Sequence, residues 1–389
     1  MKKTALLFVA LLQILTAGAQ RVSVAEGPYL QAVSQEGFTV VWTTDIDAVA
    51  WVEIAPDDGT HFYACERPRH YDTVFGRRNT GRLHKVRIEG LAPATTYRYR
   101  IMNRGIVSDD GRHVRYTEGR GSDVYKGQPF RVTTLDPGKK SVTFAVVNDM
   151  HEHDGDLQVL FADARERRYD FVCFNGDMTS SIPDEESIFK HYMSSASRLF
   201  AAETPLYVVR GNHENRGRFA THFHDYFPST NDHGEPYYAF RHGPVFFIVL
   251  DCGEDKPDND IEYSDLIRHD DYRNREAGWL KATLASEECR KAPVKIVFCH
   301  IPPDAKGWHG AVEVQEKFVP LLNDAEIDLM ISGHLHRYRF YDKGTQGRKF
   351  PVVVNPARSR LEVSATADSI EMTVFDTENR SLHTYKINK

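Results

Sequence analysis

Cysteine is scarce in this chain of 389 residues: there are five, at positions 65, 173, 252, 289 and 299. An odd number with irregular spacing excludes a disulfide framework and a paired-cysteine metal knuckle. Cys173 and Cys299, inside apolar runs, read as small buried hydrophobes. An excess of basic charge is also missing, with 49 Lys and Arg against 55 Asp and Glu for a net charge of -6. No footprint exists to neutralise a nucleic-acid backbone, so nucleic acid is not an expected partner. Even the apolar run at the N-terminus falls short of the roughly 20 residues that cross a bilayer, and no membrane span is expected. Repeats and low-complexity tracts are absent as well, which removes solenoids and fibrous scaffolds.

What is present is ordinary globular material, 41% hydrophobic and 27% charged, in a chain long enough to predict two domains. The first residues have the grammar of an export signal: Lys2 and Lys3, an apolar run from Ala5 to Leu15, and Ala17-Gly18-Ala19 as a cleavage site. A signal peptide over residues 1–19 and a mature chain from about Gln20 predict a secreted or periplasmic product. No cysteine follows the cleavage site to carry a lipid.

From Val22 to Thr134 short alternating stretches (Phe38 to Trp42, Ala50 to Ile54, Leu83 to Ile88, Thr96 to Ile101) are separated by turn residues. This spacing predicts a β-sandwich over residues 20–135, with Trp42 and Trp51 in its core. Asp136-Pro-Gly-Lys-Lys140 is a polar breaker, and a different pattern follows it. Buried strands are expected at 141–147, 169–174, 206–209, 245–250, 294–298 and 328–331, alternating with helical periodicity over 156–168, 185–202 and 312–323. That is an α/β layout for residues 141–355. Alternation returns over 361–387, with hairpin turns near Ala367-Asp368 and Glu378-Asn379, so residues 356–389 read as strands completing this second domain.

The unusual polar residues fall just after those strands. Asn148-Asp-Met-His151, Asn175-Gly-Asp177, Gly211-Asn-His-Glu214, Cys299-His300 and Gly333-His-Leu-His336 each follow one. Carboxyl ends of strands in open α/β sheets are where ligands collect. Asp149, His151, Asp177, Asn212, His300, His334 and His336 make seven candidate ligands, more than one tetrahedral site needs, and their oxygen and imidazole donors suit a pair of hard or borderline cations. Glycines before Asp177, Asn212 and His334 suit a chain turning tightly off a strand.

In this order the five blocks resemble the calcineurin-like metallophosphoesterase superfamily, over about Ser141 to Val354. The preceding part is similar to the N-terminal fibronectin-like domain of purple acid phosphatases, through Gly27-Pro-Tyr-Leu-Gln31, Val40-Val-Trp-Thr43, and His84 to Leu91 leading into Thr95 to Tyr99. The resemblance implies a fibronectin III-like β-sandwich followed by a four-layer α/β/β/α sandwich. It implies that Asp149, His151 and His336 hold one metal, that Asn212, His300 and His334 hold the other, and that Asp177 bridges them. His213 then stands over the phosphate and assists the leaving oxygen, with Glu214 helping to place it. Purple enzymes carry a Tyr ligand in a Gly-Asp-x-x-Tyr block, where this chain has Ser180. No tyrosinate colour is therefore expected, and the pair is divalent or mixed-valence Mn, Zn or Fe, with no organic cofactor.

The expected function is that of a dinuclear-metal phosphoester hydrolase, foremost a phosphomonoesterase acting on a small phosphorylated substrate. Water activated between the ions attacks phosphorus; His213, Asp177 and Glu214 form the catalytic set, and Asn212, His213 and Arg216 bind substrate. A phosphodiesterase or nucleotide hydrolase using the same site is the nearest alternative. A noncatalytic extracellular binding protein is another, although none of the seven ligands is missing. Arg216 reads either as a phosphate contact or as a solvated loop residue, and His309 either as pocket-lining or as part of an aromatic surface loop. His153, His222, His224 and His233 read as surface or structural. The loops Ser180 to Ser187 and Asp251 to Glu276 are expected to wall the pocket.

Overall fold

The computed structural model describes residues 21–231 and 234–389. The export signal read at 1–19 and His233 lie outside the described residues.

The first layer pair is a β-sandwich. A three-stranded sheet of Val24–Gln31, Gly37–Thr44 and Leu83–Glu89 packs on a second sheet centred on Ala48–Pro56 and Thr96–Asp109. Alternation sends Phe38, Val40, Trp42, Val86 and Ile88 from one sheet, and Ala50, Val52, Tyr99 and Ile101 from the other, into a shared core. The Trp42 indole N–H donates to Asn103 Oδ1 at 2.8 Å, so its one polar atom is satisfied. Trp51 departs from expectation. It lies between the inward-facing Ala50 and Val52 and so points to the opposite face. There it is buried beside the Tyr71 ring, 5.8 Å away, and the Arg69 guanidinium, 5.5 Å away.

The remainder is built on two six-stranded sheets. The first runs in the order Leu206–Val209, Phe171–Asn175, Ser141–Val147, Arg360–Thr366, Ser369–Phe375, Ser381–Asn388. Its first three strands are parallel, and the C-terminal three add on antiparallel through the two hairpin turns expected from the sequence. The second sheet runs Tyr238–His242, Val245–Leu250, Val294–Cys299, Leu329–Ser332, Val352–Val354, Arg339–Tyr341, with its four inner strands parallel. Phe144, Phe171, Phe247, Phe298, Ile331 and Val353 fill the space between the sheets, and Phe144 stacks on Phe171 at 4.7 Å. Helices cover the outer faces, packing Leu157, Phe161, Tyr192 and Phe200 on one and Leu280, Val314, Phe318 and Leu322 on the other. This is the four-layer α/β/β/α order, and burial on both faces is why these strands read as unbroken apolar runs.

Three tyrosine hydroxyls fasten the β-sandwich to this body. Tyr29, in the middle of the Gly27 to Gln31 motif, donates to Tyr226 O at 2.9 Å; Tyr99 donates to Ala202 O at 2.6 Å; Tyr207 reaches back to Val33 O at 2.7 Å. All three are buried, so each bond satisfies groups that water cannot reach.

The helices differ from the periodic reading in detail. The stretch 156–168 is two helices, Asp154–Leu160 and Ala164–Arg167. The stretch 185–202 is helical but includes two π segments, Phe189–Met193 and Ser197–Ala201. The stretch 312–323 divides at Phe318 into His309–Lys317 and Val319–Asp324, because Pro320 has no N–H for the preceding helix and fits the first turn of a new one. The longest helix, His269–Leu284, was not anticipated at all. Its buried face carries His269, Tyr272, Arg273 and Glu276 beside Leu280, so the spacing is helical but the residues are polar. Among the described residues no helix is long and apolar enough to cross a membrane.

Candidate metal centre

All five clusters sit at the carboxyl ends of parallel strands and converge on one edge of the two sheets. The turns that bring them there are unusual. Asp149, His151, Asp177, His334 and His336 all hold positive φ, at 51°, 43°, 54°, 69° and 54°, a left-handed region that costs a residue with a Cβ. The neighbouring glycines are there for space. A Cβ on Gly176 would lie 2.5 Å from His300 Nδ1, and one on Gly211 would lie 2.2 Å from Asp177 Oδ1.

Three overlapping groups of potential ligands meet, one of them His151, Asp177 and His213, which joins the other two. Asp149, His151 and His336 form the first: His336 Nε2 is 3.2 Å from Asp149 Oδ1 and 3.2 Å from His151 Nε2. Asp177, His300 and His334 form the second, with His300 Nε2 3.0 Å from Asp177 Oδ2. Asn212 joins it, its Oδ1 3.1 Å from His334 Nδ1. The groups adjoin, for His300 Nε2 is also 3.9 Å from Asp149 Oδ1. All seven residues singled out in the sequence are thus in one place.

The surroundings fix how these side chains point. His300 Nδ1 donates to Asn175 O at 2.7 Å, which turns Nε2 inward. Asp149 Oδ2 accepts from His334 N at 2.8 Å and from Asn148 Nδ2 at 2.6 Å. Its Oδ1 and His300 Nε2 are buried yet make no aligned hydrogen bond. Buried polar atoms without aligned hydrogen bonds demand an explanation, and here they stand 3.9 Å apart among oxygen and imidazole groups, as cation ligands would. The residues fit a pair of borderline metal ions.

Charge in the cluster is correspondingly perturbed. Burial alone would push the Asp177 carboxyl up, but the His300 imidazole outweighs it and holds the group well below the usual carboxylate range. Burial opposes protonation of His300, and the Asp177 and Asp149 carboxylates reverse this, raising it to about 10. Burial, reinforced by the Asp177 charge, lifts Glu214 to about 7. Glu214 does not bond the imidazole of its neighbour. Its oxygens accept from Asp177 N, Met178 N and Gly211 N at 2.8, 2.8 and 2.9 Å, bracing the turn that carries Asp177.

His213 stands beside the cluster, its Nε2 3.9 Å from Asp177 Oδ2 and its Nδ1 2.9 Å from Ser180 O. Arg216 Nη1 lies 3.3 Å from both ring nitrogens, so the guanidinium rests on the imidazole face. Arg216 is not a solvated residue. Glu254 grips it in a two-pronged bond, 2.9 Å at Nε and 2.9 Å at Nη2, and Tyr263 OH in turn bonds Glu254 Oε2 at 3.0 Å.

His213 and Arg216 open on a cleft of about 770 Å³ shared with Asp177, Asn212, His334 and His336. The expected walls are only partly right. The Asp251 to Glu276 stretch contributes Asp255, Lys256 and Glu262, but the 180–187 loop lines none of the cleft, and Ile301 to Asp304, Lys306 to Trp308 and Tyr341 do. His309 is not among the lining residues; its Nε2 bonds Asp270 Oδ1 at 2.7 Å, and Trp308 faces the cleft instead. His153, His222 and His224 are exposed, the latter two beside Asp225.

Sequence reasoning missed Glu152 and Glu254. Glu152 accepts from Thr179 Oγ1 and Ser180 Oγ at 2.8 Å each, and Ser180 Oγ lies 3.3 Å from His151 Nδ1, so the residue at the purple-type Tyr position orients a candidate ligand through its hydroxyl. Glu254 had a signal: Asp251-Cys-Gly-Glu-Asp255 also follows a buried strand on the same edge.

Comparison with known proteins agrees with this architecture. Residues 142–338, just over half of the chain, match the calcineurin-like phosphoesterase family, and residues 26–117 match the purple acid phosphatase N-terminal domain. Purple acid phosphatase 21 of Arabidopsis thaliana is 27% identical over 274 residues, covering 67% of this chain and 53% of that protein. Purple acid phosphatase 18 of the same plant is 22% identical, covering 85% and 69%. The match thus spans about half the length of the first of these relatives. A purple acid phosphatase from yellow lupin seeds shares the fold, with a TM-score of 0.65 at 14% identity over 93% of this chain and 74% of that one. With its five strand-end blocks, its four-layer body and this match, the chain belongs to the calcineurin-like phosphoesterase family.

Proposed function

We propose that this protein is a dinuclear-metal phosphomonoesterase. The observation that carries the reading is the gathering of ligand groups around Asp177, with His300 and His334 on one side and His151 on the other, while buried Asp149 Oδ1 and His300 Nε2 make no aligned hydrogen bond. Asp149, His151 and His336 would hold one ion, Asn212, His300 and His334 the other, and Asp177 both. Two such ions, Mn, Zn or Fe, lower the pKa of water and neutralise phosphoryl oxygens. The chain itself supplies the rest. His300 and Asp149 are locked in orientation by backbone partners, Glu214 braces the Asp177 turn, and His213 presents Nε2 to the cleft as a donor for the leaving oxygen. Arg216, aimed by Glu254, meets the phosphate. The sequence of residues 1–19 supports export, which N-terminal sequencing of the mature protein tests.

The deciding experiment reconstitutes apoprotein separately with Mn, Zn and Fe and compares hydrolysis of p-nitrophenyl phosphate, its bis-ester and a phenylphosphonate ester. The monoester is expected to be fastest. Faster diester cleavage would make the protein a phosphodiesterase, and neither bound ions nor metal-dependent turnover would leave a binding protein. Arg216→Ala is expected to raise KM for the monoester about tenfold, as loss of one charged hydrogen bond would. Glu254→Gln is expected to move KM in the same direction by less; unchanged KM in both would remove Arg216 from substrate binding.

A further inference from the structure

The cleft is far larger than a phosphate needs. At about 770 Å³ it is the size of pockets that enclose whole organic ligands. Beyond the candidate metal ligands its wall turns apolar and flat, with Ile301, Pro302, Pro303, Trp308 and Tyr341. Trp308 is 63% exposed there, and of the four tryptophans in the chain it is the exposed one. It does not hang from a loose loop tip. It immediately precedes the helix His309–Lys317, its carbonyl accepts from Val312 N at 3.0 Å, and Gly310 N donates to Asp255 O at 2.9 Å. A Cβ on Gly310 would come within 2.5 Å of Glu254 O, so the start of this helix is wedged against the segment that aims Arg216. The indole is therefore held in fixed register with the candidate phosphate site. The Lys256 ammonium lies 5.8 Å from its ring and pairs with Glu262, and Lys306 and Asp304 line the same wall, so its charges are mixed and the ring face is its distinguishing feature.

We propose that this wall is a subsite for a planar ring on the leaving group. Resting on the phosphatase reading above, it makes the preferred substrates phosphate monoesters whose alcohol carries an aromatic or heteroaromatic ring, nucleoside monophosphates among them. The ring stacks on Trp308, a contact that tolerates many ring types because every such ring has a π face.

The test compares adenosine 5'-phosphate with ribose 5-phosphate on metal-loaded protein. Both break phosphorus from the primary 5'-oxygen of a ribose, so their intrinsic reactivity is matched and the ring is the difference. The ring-bearing ester is expected to show a kcat/KM about tenfold higher, within what one stacked base contributes. Trp308→Ala is expected to bring the ratio close to one, and Trp308→Phe to retain most of it. Adenosine, which has no phosphate, is expected to quench tryptophan fluorescence in the wild-type protein. Trp42 and Trp51 are buried and Trp279 is half-buried, and disappearance of the quenching in Trp308→Ala or Trp308→Phe assigns the signal to Trp308. Equal kcat/KM for the two esters, a ratio indifferent to Trp308→Ala, or no quenching by millimolar adenosine would each overturn the subsite. Hydrolysis of neither ester, with quenching intact, would instead overturn the phosphatase reading and leave the ring subsite standing. The wild-type ratio and the quenching decide the matter even if Trp308→Ala does not fold.

Discussion

Replacing His213 with alanine is expected to lower turnover of phosphate monoesters about a hundredfold to a thousandfold, the usual effect of removing one donor aimed at a developing oxyanion. Metal content should stay at that of the wild type. The separation of these two effects follows from the proposed roles. Ser180 O takes the Nδ1 proton at 2.9 Å and so presents Nε2 to the cleft, with the Arg216 guanidinium 3.3 Å away. On that reading His213 belongs to the substrate side of the cluster, and the ion count separates this from a place among the ligands with His151 and Asp177. Turnover is measured with saturating metal and the ion count by elemental analysis. Wild-type turnover in the variant, or loss of an ion with it, would remove His213 from its proposed place.

A larger effect is expected at Asp177. Asp177→Asn keeps the side-chain shape and suits the positive φ of 54° at this position, which asparagine tolerates well. On the proposed reading it removes the one charge that both ions share. The bound ions should fall from two per chain to one or none. Activity should drop about a thousandfold or more, since loss of roughly 4 kcal/mol of metal-derived stabilisation has that consequence. Folding is expected to survive, because Glu214, which braces this turn through three backbone N–H groups, is relieved of a neighbouring negative charge. Two ions retained with undiminished activity would contradict a shared ligand at 177.

The body of the fold was legible because its strands are buried on both faces: Ser141–Val147, Leu206–Val209 and Val245–Leu250 fall where the apolar runs predict them. The seven ligand candidates were legible for a related reason, since a polar cluster directly after such a run marks a strand end. The helix His269–Leu284 escaped because the face it buries is made of His269, Arg273 and Glu276, which hold the 251–254 segment by hydrogen bonds: Glu276 accepts from Asp251 N at 2.8 Å and Arg273 donates to Cys252 O at 2.8 Å. Hydrophobic periodicity cannot detect a helix whose work is polar. Trp51 was misplaced by one step of strand register, which is all it takes to move a side chain to the other face. His309 was left open between the pocket wall and an aromatic surface loop, and Trp308 takes the wall instead, because adjacent residues at a helix start diverge and only coordinates tell which one faces the cleft.

The left-handed backbone at Asp149, His151, Asp177, His334 and His336 bears on how this protein would respond to laboratory evolution. Each such residue carries about 1–3 kcal/mol of conformational strain, which glycine or asparagine would relieve. Selection for heat resistance alone would therefore drift towards those two residues at the strand ends, where glycine erases a donor and asparagine a carboxylate charge or an imidazole. Ala32, Phe75, Ala94 and Arg168 hold the same backbone away from the cluster, so a thermostability campaign can take its gains there, whereas at the candidate metal centre a screen that does not also demand turnover would breed a sturdier, inert scaffold.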